Sequence, residues 1–396
     1  MPRIGFAYNQ KPESPAIARP EDETPRGDEE PPSSRRDALA SRNSDAPAST
    51  ELAHSVTVGG HFAAPAHPIA ADDEFAEWDS ADTIDAVARA LARYGEVIRL
   101  EARDDFPERL RAERPDIVFN IAEGLRGPNR EAHVPAICEF YGVPYSGSDP
   151  FTLALCLDKA RTKEILRANG VPTADWVLAR DAGDVERIVA RGWSYPLFAK
   201  PVHEGSSKGI TERNLAADAD ALRAIVLDLL ERYEQPVLVE AFLPGAEFTC
   251  GVLGNGPGAR VLPIVGMNFD SLPAGALPIY GFEAKWLWDR PENPLDIFSC
   301  PARVPDELRA EIEDVVLRAY AVLGCRDWSR VDVRLDAAGR ANIVEVNPLP
   351  GILPDPADNS CLPKAARAAG LDYDALIGAA LAAAAARQGV VLGSAA

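Results

Sequence analysis

The stretch Arg330-Val-Asp-Val-Arg-Leu-Asp-Ala-Ala-Gly-Arg-Ala-Asn-Ile-Val-Glu-Val-Asn-Pro-Leu-Pro-Gly351 reads as two short strands around a tight turn. Alternation places Arg330, Asp332 and Arg334 on one face of the first strand and Val331 and Val333 on the other. Asp336 to Gly339 forms the turn. In the return strand Ile343, Glu345 and Asn347 share a face. Pairing Leu335 with Arg340 makes Asp332 and Glu345 diagonal neighbours on one face. Two carboxylates and an amide oxygen then point into one space. Like charges held this close destabilise a sheet unless something positive sits between them. Oxygen ligands without Cys or His suit Mg²⁺, which relies on a few protein carboxylates plus substrate phosphates. The plainer reading is a polar strand face in water, and the rest of the chain decides between the two.

With 396 residues the chain can hold two or three domains around a large core. Its hydrophobic content of 46% is that of a globular protein. The net charge of −20 argues against nucleic acid as a partner, since phosphate backbones require basic surface. Cysteines 138, 156, 250, 300, 325 and 361 are scattered without a C-x-x-C pair, which fits reduced thiols in the cytoplasm. The segment after Met1 turns polar without an apolar signal core. The alanine-rich run from Ala375 to Ala386 is too short to span a bilayer, so no membrane association is expected.

Arg3 to Tyr8 reads as an opening strand. Residues 10 to 72 are rich in Pro, Ser, Ala and charged residues, a composition that cannot offset chain entropy by burial. This segment is expected to be a disordered insert. From Ser80 the chain alternates: helix to Tyr94, strand from Glu96, helix from Phe106, strand from Asp116 to Asn120, helix from Glu131 to Tyr141. Such alternation predicts a parallel sheet with helices on both faces, an α/β domain. Ligands of such sheets lie beyond the strands' carboxyl ends, where Asn120 to Gly124, including Glu123, falls. Further on come a helix from Leu157 to Asn169 and strands at Trp176 to Leu178 and Tyr195 to Lys200. A helix from Leu215 to Tyr233 and a strand from Val237 to Glu240 follow. A meander spans Glu247 to Val265, and a long Pro-rich loop runs from 267 to 300. A helix from Glu307 to Gly324 precedes the hairpin, and the tail from Leu362 is helical.

Lys200 ends a buried strand and faces a loop with Gly205, Ser206, Ser207 and Gly209. Small residues let backbone N–H groups turn inward around phosphate, and lysine adds a point charge. No Walker A pattern occurs. Taken singly, Lys159 and Lys285 read as solvated surface charges.

The order of these pieces is specific: strand-Lys, Gly/Ser loop, strand-Glu, Glu, loop Lys, Arg-x-Asp, Glu-x-Asn. It resembles the ATP-grasp fold and, within it, the D-alanine–D-alanine ligase family. The matching stretches include Tyr145 to Ser148, Leu157-Asp-Lys159, Lys200-Pro, Glu204-Gly-Ser-Ser207, Val239-Glu240, Leu243 to Thr249 and Glu283-Ala-Lys285. They continue through Gly324 to Asp332, Glu345-Val-Asn347, Pro350-Gly351 and Ser360 to Gly370. The resemblance covers about residues 74 to 390 plus the first strand. It implies an N-terminal α/β substrate domain (1–150), a central ATP-grasp subdomain (151–242) and a C-terminal α+β subdomain (243–396) with a lid loop at 267–300.

By the same resemblance, Lys159, Lys200 and Lys285 would hold ATP phosphates, and the loop of Glu204, Ser206 and Ser207 would close over them. Glu240 and the backbone of Ala241, Phe242 and Leu243 would take adenine, and Glu247 the ribose. Asp332, Glu345 and Asn347 would hold Mg²⁺, or Mn²⁺ in its place. Arg330, Ser206 and Lys285 would be catalytic. Glu123, Arg330, Gly351 and Ser360 would face the amino-acid substrates. The implied reaction joins two amino acids through an acyl phosphate, in a cytoplasmic homodimer serving the cell wall. The alternatives are the same chemistry on other amino acids in small-molecule biosynthesis, and a nucleotide-binding regulatory protein without turnover.

Three positions depart from the family pattern. The family's first loop carries a glutamate for the first substrate's ammonium, where this chain has Asn9-Gln-Lys-Pro-Glu13. Trp286 stands where a tyrosine usually follows the lid lysine, and Asn347-Pro-Leu-Pro-Gly351 replaces Asn-Thr-x-Pro-Gly. Deleting residues 12 to 70 behind a short Gly/Ser bridge is expected to leave the melting temperature within a few degrees. An insoluble product would show that the segment packs.

Overall fold

The computed structural model describes residues 1–12, 75–273, 276–279, 281 and 295–393. Most of the expected insert, the expected lid lysine Lys285 and its neighbour Trp286 lie outside these residues.

The first sheet is parallel throughout. β1 (Arg3–Tyr8) lies between β2 (Glu96–Glu101) and β3 (Ile117–Asn120). β1 and β3 are almost wholly buried, which is why they read as continuous apolar runs. Between β1 and β2 runs α1 (Ala81–Ala92), started by Ser80, whose hydroxyl accepts from the Thr83 N–H at 3.2 Å. Its buried Ile84, Val87 and Leu91 follow helical spacing. α2 (Phe106–Glu113) and α3 (His133–Tyr141) complete this layer. Asn9 and Lys11 pair with Asp79: Asp79 N–H donates to Asn9 at 3.0 Å and Lys11 N–H to Asp79 at 2.8 Å. The chain therefore leaves and re-enters this part at one place.

α4 (Pro150–Leu157), absent from the sequence expectations, follows. Asp149 caps it by accepting from the Thr152 N–H at 2.8 Å. Asp158 then caps α5 (Lys159–Ala168). The second sheet is antiparallel, ordered β4 (Trp176–Ala179), β7 (Val237–Ala241), β5 (Leu197–Pro201), β6 (Leu215–Ala216). It packs on α6 (Ala182–Ala190) and α7 (Ala219–Tyr233) through Val185, Ile188, Leu222, Val226 and Leu229. The helix expected from Leu215 begins only at Ala219. Asp218 caps it there, and Leu215 and Ala216 pair with β5 instead.

The third sheet runs β11 (Phe298–Ser299), β10 (Val265–Met267), β8 (Glu247–Leu253), β12 (Trp328–Leu335), β13 (Ala341–Asn347), with β9 (Arg260–Val261) beside β8. α8 (Asp306–Val322) covers one face. α9 (Cys361–Ala368) and α10 (Tyr373–Gln388) join this sheet to the first one in a single core with Trp328, which meets Phe119 edge-on at 5.4 Å. Buried Asp327 ties the junction, accepting from Gly147 N–H at 2.8 Å and pairing with Arg387 at 2.8 Å. Among the described residues no single helix is long and apolar enough to cross a membrane.

The hairpin of β12 and β13 differs from its expected register. Leu335 pairs with Ala341 and Val333 with Ile343, but Asp332 pairs with Glu345 and Arg330 with Asn347. Val344 is an extra residue, a β-bulge. Asp332 and Glu345 are therefore directly opposite rather than diagonal. Ile343 moves to the face of Val331 and Val333, where all three are buried. Deleting Val344 would make Ile343 and Glu345 neighbours in a regular ladder, with Ile343 still facing the core and Glu345 and Asn347 the cavity. The urea midpoint is therefore expected to stay close to that of the parent protein, within about 1 kcal/mol, and a loss of about 3 kcal/mol or more would show that Val344 itself is needed for the fold.

Candidate functional site

The carboxylate face of the hairpin opens into a cavity of about 290 Å³. Asp332 is held in place by Thr249 of β8, whose hydroxyl donates to it at 2.9 Å, and by Arg330 at 3.1 Å. Asn347 donates to the same carboxylate at 3.4 Å. Glu345 meets the Lys159 ammonium at 2.9 Å. Burial opposes the charge of Glu345, but Lys159 and Lys200 outweigh it and hold its pKa below the usual carboxylate range. Burial likewise opposes the charge of Arg330, and Asp332 and Glu345 more than offset this.

A second wall comes from the antiparallel sheet. Glu240 faces Phe198 across β5 and β7, which makes Lys200 its diagonal neighbour. Lys200 meets Glu240 Oε1 at 2.8 Å, and Lys163 of α5 meets Oε2 at 2.8 Å. Lys163 also donates to Thr173 at 2.7 Å. All three charged side chains are buried. Burial would raise the Glu240 pKa, yet the two ammonium groups pull it down to about 2. The N–H of Ala241 is committed to the Asp175 carbonyl at 2.9 Å, and that of Phe242 to Pro196 at 3.4 Å. Glu247 lies under Arg334 at 2.6 Å, and that guanidinium stacks on the Phe242 ring at 4.6 Å.

The loop after β5 forms the cavity's rim. Ser206 and Ser207 have φ of +48° and +61°, successive left-handed residues of the kind that turn N–H groups into a concavity. Lys208 pairs with Glu204 at 2.8 Å, and Gln235 donates to Glu204 at 2.7 Å. Lys159 also donates to the Glu204 carbonyl. Gly205 N–H donates to Glu77 at 2.9 Å, and a Cβ on Gly205 would collide with that carboxylate.

Glu77 stands just before α1. Arg130 grips both its oxygens, at 2.8 and 3.0 Å, and Lys208 adds a contact at 3.1 Å. Arg130 and Lys208 thereby overcome burial and lower the Glu77 pKa to about 2. Asp79, Glu123 and Glu131 line the same end of the cavity. Burial pushes Asp79 up to about 7, against the pull of Lys11.

The cavity gathers nearly all the residues singled out from sequence. Lys200, Glu204, Ser206, Ser207, Glu240, Ala241, Phe242, Leu243 and Glu247 line it. So do Arg330, Asp332, Glu345, Asn347, Glu123, Gly351 and Ser360. Lys159 reaches it through its contact with Glu345. Lys285 lies outside the described residues. Ser360 accepts from the Leu353 N–H at 3.1 Å, which fixes the loop after β13. The sequence reading missed Glu77, Asp79, Arg130, Glu131, Lys163 and Lys208. The Glu-Trp-Asp-Ser run leading into α1 was the available signal for Glu77 and Asp79. Lys163 sits one helical turn after Lys159, a spacing that marks a shared face.

Among the described residues no three His, Cys, Asp or Glu side chains form a metal cage by themselves. Asp332, Glu345 and Asn347 instead offer a few hard oxygens beside lysines suited to phosphate. That donor set fits a cation such as Mg²⁺, which completes its shell with substrate and water.

The family model described as D-ala D-ala ligase C-terminus matches residues 165–382. A D-alanine–D-alanine ligase of Actinobacillus pleuropneumoniae is 37% identical over 300 residues, 74% of this chain and 88% of that protein. The crystal structure of D-alanine–D-alanine ligase from Bacillus anthracis complexed with ATP superposes with a TM-score of 0.61 at 24% identity, covering 78% of this chain and 92% of that one. The VanG D-Ala:D-Ser ligase of Enterococcus faecalis gives 0.54 at 26% identity, over 68% and 73%.

Replacing Glu240 by Gln leaves two buried ammonium groups without their counter-charge, which is expected to cost about 3 kcal/mol at pH 7. The Glu240 pKa is depressed on folding, so its stabilisation is present above about pH 4.5 and is lost as pH falls toward about 2. Urea unfolding of both proteins from pH 7 to 3 should show the gap closing. A gap independent of pH would contradict the ion-pair account.

Proposed function

The chain belongs to the D-alanine–D-alanine ligase family, and we propose that it is an ATP-dependent ligase joining two amino acids through an acyl phosphate. The observation that supports this most directly is one cavity lined by buried lysines, an opposed carboxylate pair and an arginine. A carboxylate is a poor electrophile, and transfer of a phosphoryl group to it creates a leaving group that an amine can displace. ATP and Mg²⁺, or Mn²⁺, bound here would supply the phosphoryl group and spread its charge in transfer.

The chain's own residues account for the remaining requirements. Lys159 and Lys200 offset phosphate charge from opposite walls, and Glu345 and Glu240 hold those ammonium groups in place. Asp332, Glu345 and Asn347 would hold the metal. Arg330 keeps its charge and sits beside Asp332, positioned to receive the oxyanion of the tetrahedral intermediate. Ser206 and Ser207 bring the rim loop over the phosphate side, and closure there keeps water from the acyl phosphate. Phe242 and Leu243 border the place for the base, and Glu247 the place for the ribose. Gly351 and Ser360 close the amine-donor side, and the acidic end at Glu123 receives the first amino acid. The domain limits of 1–150, 151–242 and 243–396 assign each sheet to one of these tasks. A homodimer working in the cytoplasm is the assembly this reading expects, checked by light scattering.

Glu345→Gln tests the reading. It removes one carboxylate of the metal face and the partner of Lys159 while preserving shape. Phosphate release coupled to dipeptide formation, followed by product mass, should fall at least a hundredfold with the fold intact by circular dichroism. Turnover close to that of the parent protein would exclude Glu345 from the metal site.

A further inference from the structure

Among the described residues the acidic end of the cavity holds more carboxyl groups than cations. Arg130 is fully committed: three contacts with Glu77 and one, at 2.9 Å, with the His203 carbonyl. Lys208 divides between Glu77 and Glu204, and Lys159 between Glu345 and the Glu204 carbonyl. Lys11 faces Asp79. Glu123 and Glu131 remain. Both line the cavity, and among the described residues neither has a hydrogen-bond or ion-pair partner. Glu131 is only 9% exposed.

Two such carboxyl groups at one end of the cavity describe a site for cations. Their surroundings differ. Glu131 feels Lys159 and Glu345, which mark the end where the first amino acid's carboxylate must react. Glu123 feels Glu131, Glu77 and Asp79, farther from that end. Burial pushes Glu131 up to about 7 despite Arg130, and burial together with the neighbouring carboxylates raises Glu123 well above its ordinary range. An amino acid with a neutral side chain brings one ammonium and leaves the second carboxyl group without a cationic partner.

We propose that the first amino acid carries a second cationic nitrogen on its side chain, bound by Glu123, while Glu131 binds its α-ammonium. The substrate class is a diamino or guanidino acid. This rests on the ligase reading and specifies its first substrate.

The test uses the full chain with Mg²⁺, ATP and D-alanine as amine donor. The first amino acid is varied among lysine, ornithine and arginine, with norleucine and alanine as neutral comparators, each in both hands. Phosphate release and product mass are followed. The expected kcat/KM for a basic amino acid exceeds that for norleucine by about a hundredfold or more, since a polar site rejects a ligand that leaves it unpaired. Glu123→Gln should lower that ratio at least tenfold, whereas Glu131→Gln should lower kcat/KM for both classes by similar factors. Neutral amino acids used as well as basic ones by the parent protein would overturn the proposal. So would Glu123→Gln lowering both classes alike. If no amino acid releases phosphate, calorimetric titration of lysine, ornithine and arginine with a non-hydrolysable ATP analogue separates the two readings. Binding lost in Glu123→Gln keeps the cation site and removes the ligase reading. Absence of binding to the parent protein overturns the cation site.

Discussion

The bulge at Val344 decides which way the hairpin's side chains face, and the cavity depends on it. In a regular ladder a strand's side chains alternate without interruption, so Ile343 and Glu345 would share a face. That face would then be neither apolar enough for a core nor polar enough for a site. One unpaired residue separates the two tasks. Val331, Val333 and Ile343 go to the core beneath α8, and Asp332, Glu345 and Asn347 go to the cavity. Packing on one side thus fixes the position of charged groups on the other, and Thr249 on the neighbouring strand fixes the rotamer of Asp332.

Around that face the lysines and arginines of the described residues are held by opposite charges. Lys159 is paired with Glu345, Lys200 and Lys163 with Glu240, Arg334 with Glu247, and Arg130 with Glu77. Buried ions are costly alone, so such a wall is stable only when complete. It also holds several positive groups close to one another in the absence of phosphate. The carboxylates between them act as internal counter-ions that an anionic ligand can partly relieve. The pairing gives rigidity where phosphoryl transfer needs preorganised charge.

Much of this was legible in the amino-acid sequence because the pieces are local. Strand-Lys, the Gly/Ser loop and Glu-x-Asn each lie on one element, and their order specifies the fold. What escaped the reading has physical causes. α4 is apolar on most sides and only eight residues long, so it carries no helical periodicity to read. The bulge has no sequence signature beyond one more valine in a valine-rich strand. Lys163 reads as a surface lysine, yet tertiary packing buries it. Glu77 follows a long segment of low apolar content, so its place beside β1 shows only when Asn9 and Asp79 are seen to pair. Arg130 and Glu131 sit on a short turn of 310 helix before α3, where local pattern says little about burial.

That pairing of Asn9 and Lys11 with Asp79 has a consequence for how the chain can vary. The two hydrogen bonds close the segment between them at its neck, and Glu77, two residues inside that closure, forms part of the cavity wall. Closing a flexible loop costs free energy that grows only with the logarithm of its length, about 0.6 kcal/mol for each doubling. The neck therefore insulates the site from the length of what it closes. Segments of quite different size could be exchanged there by descent or by engineering, with the wall keeping its geometry as long as the neck and Glu77 beside it are kept.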